Sequence, residues 1–93
     1  MIESFADRET ERLWNRRFSR RLPHDIQRIA RRKLVMLQRS RDLNDLRVPP
    51  GNRLEQLHGD REGQYSIRIN DQWRVRFKWD RGTATDVEIT DYH

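Results

Sequence analysis

Trp73-Arg74-Val75-Arg76-Phe77-Lys78-Trp79 is the stretch that decides the fold, because every odd position is aromatic or branched and every even position is basic. A period of two marks a strand with one face in a core and the other turned outward. On that reading Trp73, Val75, Phe77 and Trp79 point inward. Arg74, Arg76 and Lys78 are displayed on the other face, and Arg68 of the preceding strand points the same way.

Working outward from this strand, Tyr65-Ser66-Ile67-Arg68-Ile69 reads as its upstream neighbour, joined by a tight hairpin at Asn70-Asp71. Residues 53–57 form a further strand, closed by a Gly59-Asp60-Arg61-Glu62-Gly63 turn. Downstream, Asp80-Arg81-Gly82 makes a turn, and Val87 and Ile89 alternate into a last strand that runs to Thr90-Asp91-Tyr92-His93. Val48-Pro49-Pro50-Gly51-Asn52 is a loop, since two prolines lack amide donors and Gly51 admits positive φ.

The first half reads as helical. Residues 1–5 alternate as a short strand would, and Asp7 is a candidate N-cap ahead of Glu9 and Glu11. The first helix is predicted to run to about Phe18, with Leu13, Trp14 and Phe18 as its apolar contacts. A second helix begins at Pro23 or His24 and carries one apolar stripe, Ile26, Ile29, Ala30, Leu34 and Leu37. Gln27, Arg28, Arg31, Arg32 and Gln38 are read as its solvated face. The expected architecture is α+β, one domain over residues 1–93, with two N-terminal helices packed on one face of an antiparallel sheet and the arginine-rich face left open.

Composition limits the function. Charged residues make up 38% of 93, against about 25% for an ordinary domain. The periodic apolar blocks still argue for a thin folded core over disorder. Lys plus Arg exceed Asp plus Glu by 20 to 15, a net charge of +5 that is mostly arginine. Guanidinium forks match phosphate oxygens in pairs, so the bias points to nucleic acid. Cysteine is absent and His24, His58 and His93 are widely spaced, so no metal site and no cofactor are predicted. No apolar run approaches the roughly 20 residues of a membrane span and no leader pattern opens the chain, so no membrane partner is expected and the expected compartment is the cytoplasm.

Three features suggest catalysis beyond binding: Glu55 with His58, Arg74 on the central strand, and Asp91-Tyr92-His93. RNA is cut without metal when its 2′-hydroxyl attacks the adjacent phosphate. A base must take that proton, a cation must neutralise the phosphorane, and an acid must protonate the departing 5′-oxygen. Glu55 or His58 can be the base, Arg74 the cation, and His93 or Tyr92 the acid. Arg53, Arg61, Arg68, Arg76 and Lys78 are the candidate RNA-binding residues. The catalytic candidates each have a plainer explanation: Glu55 in ion pairing, His58 in a turn, Tyr92 in packing and His93 as a frayed end. Two other readings stand beside catalysis: a basic RNA- or ribosome-binding module without chemistry, and an interaction protein whose helix arginines Arg28, Arg31 and Arg32 hold a partner.

The blocks Pro49-Pro50-Gly51-Asn52-Arg53-Leu54-Glu55, Gly59-Asp60-Arg61-Glu62-Gly63, Ser66-Ile67-Arg68-Ile69-Asn70, Gln72-Trp73-Arg74 and Glu88-Ile89-Thr90-Asp91-Tyr92-His93 resemble, in order, the HigB branch of the RelE-like toxins. The resemblance covers nearly the whole second half. It implies a RelE-like fold with a twisted sheet, and metal-independent cleavage of mRNA on the ribosome. It also implies a helix-turn-helix, HigA-like antitoxin as partner, with operator DNA contacted only through that antitoxin. Position by position, the family's strand arginine falls on Arg74 and its Asp-Tyr-His on Asp91, Tyr92 and His93. His58 departs from the pattern, since relatives commonly place lysine there, and the departure predicts a smaller electrostatic contribution and weak cleavage. Glu55 sits where relatives carry His or Glu.

Overall fold

The computed structural model describes residues 1–58 and 63–91. Helices α1 (Arg8–Trp14) and α2 (His24–Arg39) precede short 3-10 turns at Leu43–Arg47 and Pro50–Asn52. Strands β1 (Glu55–Gln56), β2 (Gln64–Arg68), β3 (Trp73–Asp80) and β4 (Thr83–Asp91) follow. The four strands form one antiparallel sheet in the order β1-β2-β3-β4. The expected Gly59–Gly63 turn falls largely on 59–62, outside the described residues.

The period-two reading of β3 fixes the layers. Val75 and Phe77 are fully buried, and they meet Ile67 of β2 and Ala84, Val87 and Ile89 of β4 on the face that the helices cover. The β3–β4 hairpin closes through Arg81 (φ 51°) and Gly82 (φ 80°), two positive φ values that suit the right-handed twist of the flanking strands. A Cβ on Gly82 would also stand 3.0 Å from the Arg41 carbonyl. The β2–β3 connection is longer than a two-residue hairpin. It is held by the Asn70 side chain, which accepts from the amides of Gln72 (2.9 Å) and Trp73 (2.8 Å).

Residues 1–6 run parallel to β4 but pair with it only at Ile2 opposite Ala84 and Phe5 opposite Val87. The interruption has a cause in β4. Asp86 takes φ 50° at a bulge in the register with β3, and its amide turns to the Ser4 hydroxyl at 2.9 Å. The segment therefore covers the β4 edge without becoming a regular strand.

Asp7 caps α1 as expected, accepting from the Thr10 amide at 3.4 Å. The helix ends earlier than the sequence predicts, at Trp14 and not near Phe18. Arg16 adopts φ 62°, its amide bonds to the Leu13 carbonyl (3.1 Å), and the Arg17 amide bonds to the Arg12 carbonyl (2.8 Å). This is a Schellman terminus with arginine where glycine is usual, so the sequence carries no stop signal there. Thr10, fully buried, accepts from the Ile89 amide at 2.9 Å and locks α1 to β4.

On α2 the buried residues are Ile26, Ala30, Leu34 and Leu37 together with Gln27, whereas Ile29 is 39% exposed. Both Ile29 and Gln27 thus depart from the predicted stripe. At about 100° per residue, Gln27 lies closer to the centre of the stripe than Ile29 does. Its amide is used fully: it donates to the carbonyls of Ser19 (2.8 Å) and Leu22 (2.9 Å) and accepts from the Ser19 amide (3.3 Å). One glutamine therefore fixes the α1–α2 connection.

The turn after α2 is a capping box. Asp42 accepts from the Asn44 amide at 2.8 Å, and Asp45 accepts from the amides of Arg41 (3.0 Å) and Asp42 (3.1 Å). These amides, the Asp42 bond first, hold the Asp45 carboxyl below its ordinary value of 3.8. Its contribution to stability is complete above that value and is lost as pH falls through the lower folded-state value. Asp45→Asn should therefore melt at a lower temperature than the wild type at pH 7. In thermal scans at successively lower pH, the gap should close as the wild-type carboxyl protonates.

Candidate functional site

The loop that ends in Asn52 and Arg53 is held from two sides. Asn52 is fully buried, and its amide donates to the carbonyls of Leu46 (3.1 Å) and Val48 (3.4 Å). Its Oδ1 accepts from Lys33 Nζ of α2 at 2.6 Å. Burial first, then the nearby Arg32 and Arg68 charges, push the Lys33 ammonium below its ordinary 10.5. Arg53 follows in the left-handed region at φ 44°, ψ 59°.

On the other side stands Arg74, 5% exposed. Its Nε donates to Ser66 Oγ at 2.8 Å, and one terminal nitrogen donates to the Arg53 carbonyl (2.6 Å) and the Ser66 carbonyl (3.3 Å). The other terminal nitrogen lies 3.8 Å from Glu55 Oε1. The register explains the meeting: Glu55 is opposite Ser66, Ser66 opposite Arg76, and Arg68 opposite Arg74. All these side chains therefore leave the sheet on the face away from the helices.

The sequence places Arg74 on that face correctly but displays it to solvent. The structure instead buries it beneath the β1 edge and the Arg53 loop. The rest of the expected open basic face is also changed. Arg76 pairs with Glu88, Arg68 with Asp71, and Lys78 with Asp86 at 3.1 Å. Arg53 is exposed and makes no ion pair among the described residues.

Of the other predicted site residues, Glu55 and His58 are exposed at and just beyond β1. Asp91 pairs with Trp73, so the pleat turns it to the face opposite Arg74, and its Oδ2 accepts from Gln72 Nε2 at 3.0 Å. Arg61, Tyr92 and His93 lie outside the described residues. Sequence reasoning missed Ser66, Asn52 and Lys33 as supports. Asn52 had a signal, as a polar residue closing a Pro-Pro-Gly loop, whereas Lys33 looks like one more cation on a basic helix.

Chemically, the arrangement joins a proton acceptor (Glu55), a buried, fixed guanidinium (Arg74) and an exposed one (Arg53) at an uncovered edge of the sheet. No group of His, Cys, Asp and Glu suited to a metal occurs among the described residues, and no helix there is long and apolar enough to cross a membrane.

The family model described as RelE-like toxin of type II toxin-antitoxin system HigB matches residues 3–93. The chain is similar to Toxin HigB-1 of Vibrio cholerae serotype O1, with 39% identity over 90 residues, 96% of this chain and 95% of the relative. It is also similar to Endoribonuclease HigB of Proteus vulgaris, with 31% identity over 94 residues that span 100% of both chains.

Removing the Arg74 fork leaves the Arg53 carbonyl and Ser66 without their charged donor. Arg74→Met should lower stability by on the order of 3 kcal/mol in urea unfolding. Arg74→Lys should recover only part of this, because a single ammonium cannot reach Ser66 and Arg53 together.

Proposed function

Since this chain belongs to the HigB family of RelE-like toxins of type II toxin-antitoxin systems, we propose that it cuts mRNA in the ribosome by driving the RNA's own 2′-hydroxyl onto the adjacent phosphate. The observation that carries this reading is the Glu55 carboxylate set 3.8 Å from a buried, fixed Arg74 on the face that the helices leave uncovered.

Glu55 takes the proton as the 2′-oxygen bonds to phosphorus. Arg74 and the exposed Arg53 oppose the charge that grows on the phosphorane oxygens. Because Arg74 is already held by Ser66 and the Arg53 carbonyl, little reorganisation accompanies the step. The bond from phosphorus to the 5′-oxygen then breaks, and His93 or Tyr92 supplies the proton that the leaving oxygen needs. The products are a 2′,3′-cyclic phosphate and a 5′-hydroxyl, with no metal or cofactor. Asp91, tied to Gln72, anchors the strand end from which Tyr92 and His93 continue. His58 assists at the β1 edge with less charge than the lysine common in relatives, which makes the cleavage weak.

Arg53 and Arg61 carry most of the RNA contact in this account. Arg68, Arg76 and Lys78 contribute through the wider field, since a phosphate must compete with the carboxylates they already hold. The substrate places the protein in the cytoplasm. The type II family implies an antitoxin partner, and we assign it a helix-turn-helix, HigA-like fold that contacts the operator.

A second reading, a basic RNA- or ribosome-binding module without chemistry, draws on the same Arg74, whose hydrogen bonds serve the protein's own chain. Primer extension on mRNA translated in a purified system separates the two. Breaks inside codons are expected from the wild type, about 100-fold fewer from Glu55→Gln, and a similar loss from whichever of His93→Ala and Tyr92→Phe removes the acid. Glu55 is exposed and glutamine keeps a side-chain oxygen toward Arg74, so its variant should lose little in melting temperature. Ribosome binding by the wild type without breaks establishes the binding module instead.

A further inference from the structure

On the helix side, away from Glu55, the early end of α1 releases Arg16, Arg17 and Phe18 from the helix and opens a cavity of about 480 Å³ against α2. Five arginines line it, Arg16, Arg17, Arg28, Arg31 and Arg32, and no carboxylate does. None of the five forms an ion pair among the described residues, whereas Arg68, Arg76 and Lys78 on the sheet are each paired. Arg31 stacks over Trp14 at 5.3 Å and donates to the Trp14 carbonyl at 3.3 Å, yet its buried Nε has no acceptor among the described residues. Concentrated like charge and an unmet donor both raise the free energy of the isolated groove and would be relieved by acceptors of opposite charge.

The groove is also partly apolar. Leu13 forms its floor, and Phe18 stands 58% exposed at its rim, its ring 5.6 Å from His24. An exposed aromatic beside unpaired arginines has the composition of an interface centre. The concavity takes a few side chains, and its apolar floor at Leu13 suits a protein side chain better than a phosphate backbone.

We propose that this α1–α2 groove docks an acidic segment of the antitoxin, with its carboxylates on Arg17, Arg28 and Arg32 and one bulky apolar side chain against Phe18 and Leu13. The proposal rests on the family assignment, which requires an antitoxin, and is independent of whether the protein cleaves RNA.

The test is calorimetric titration of the toxin with its cognate antitoxin, run for the wild type, Arg17→Glu/Arg28→Glu and Phe18→Ser, with primer extension on the same preparations. All three substituted residues are exposed, so the variants should keep the wild-type melting temperature. The charge-reversed pair should bind the antitoxin at least about tenfold more weakly, and the loss should shrink as salt rises. Phe18→Ser should weaken it by about tenfold without that salt dependence. Cleavage should be unchanged in both. Unchanged antitoxin affinity overturns the proposal, and if cleavage falls at the same time the groove serves RNA or the ribosome. A wild type that binds antitoxin but never cleaves refutes the endoribonuclease reading while leaving this one intact.

Discussion

A guanidinium taken almost wholly out of water must have its donors met, and here that demand organises the sheet edge. Arg74 leaves the start of β3 and reaches Ser66 on β2, the carbonyl of Arg53 in the preceding loop, and the carboxylate of Glu55 on β1. β1 is only two residues long and has two ladder partners in β2, so its own hydrogen bonds fix it weakly. Arg74 ties it down. The Lys33–Asn52 contact does the same for the loop from below, and together they place Arg53 and Glu55 with little freedom. In the proposed reaction the structural and chemical uses of Arg74 coincide, since the rigidity that holds the loop is what a site needs when charge develops.

Charge is distributed unevenly between the two sides of the molecule. A net charge of +5 suggested a continuous basic surface, but the sheet face balances Arg68, Arg76 and Lys78 with Asp71, Glu88 and Asp86. Unpaired arginines collect instead in the α1–α2 groove, behind the sheet. A selective site with few free cations and a separate basic groove suit a protein that meets two partners of different kinds.

The layering was legible because a period of two needs no tertiary information: Val75 and Phe77 had to be inside, and they are. The second helix was equally plain, apart from Gln27 and Ile29, whose exchange of roles depends on a helical angle that apolar identity alone hides. Three features were not legible. Arg16 ends α1 in a conformation that sequence assigns to glycine. Asp86 breaks the pairing of residues 1–6 with β4 through a bulge that no glycine announces. Arg74 obeys the alternation yet is buried, because what covers it is the loop and β1, and the period of a strand says nothing of what lies across its outer face. Of the candidate site, Glu55 and Arg74 stand out in the sequence and lie 3.8 Å apart, whereas Asp91 faces the other side of the sheet, Tyr92 and His93 lie outside the described residues, and the supports Ser66, Asn52 and Lys33 come into view only in three dimensions.

If Arg74 acts largely by holding Glu55 and Arg53, the two charged partners work as a unit and their losses cannot be independent. A double-mutant cycle on the rate of mRNA cleavage in ribosomes, with Arg74→Lys, Glu55→Gln and the two combined, tests this most directly. The double variant is expected to cleave about as slowly as the slower single variant. Penalties that multiply would contradict this, because they would mean that Arg74 and Glu55 contribute to the reaction separately.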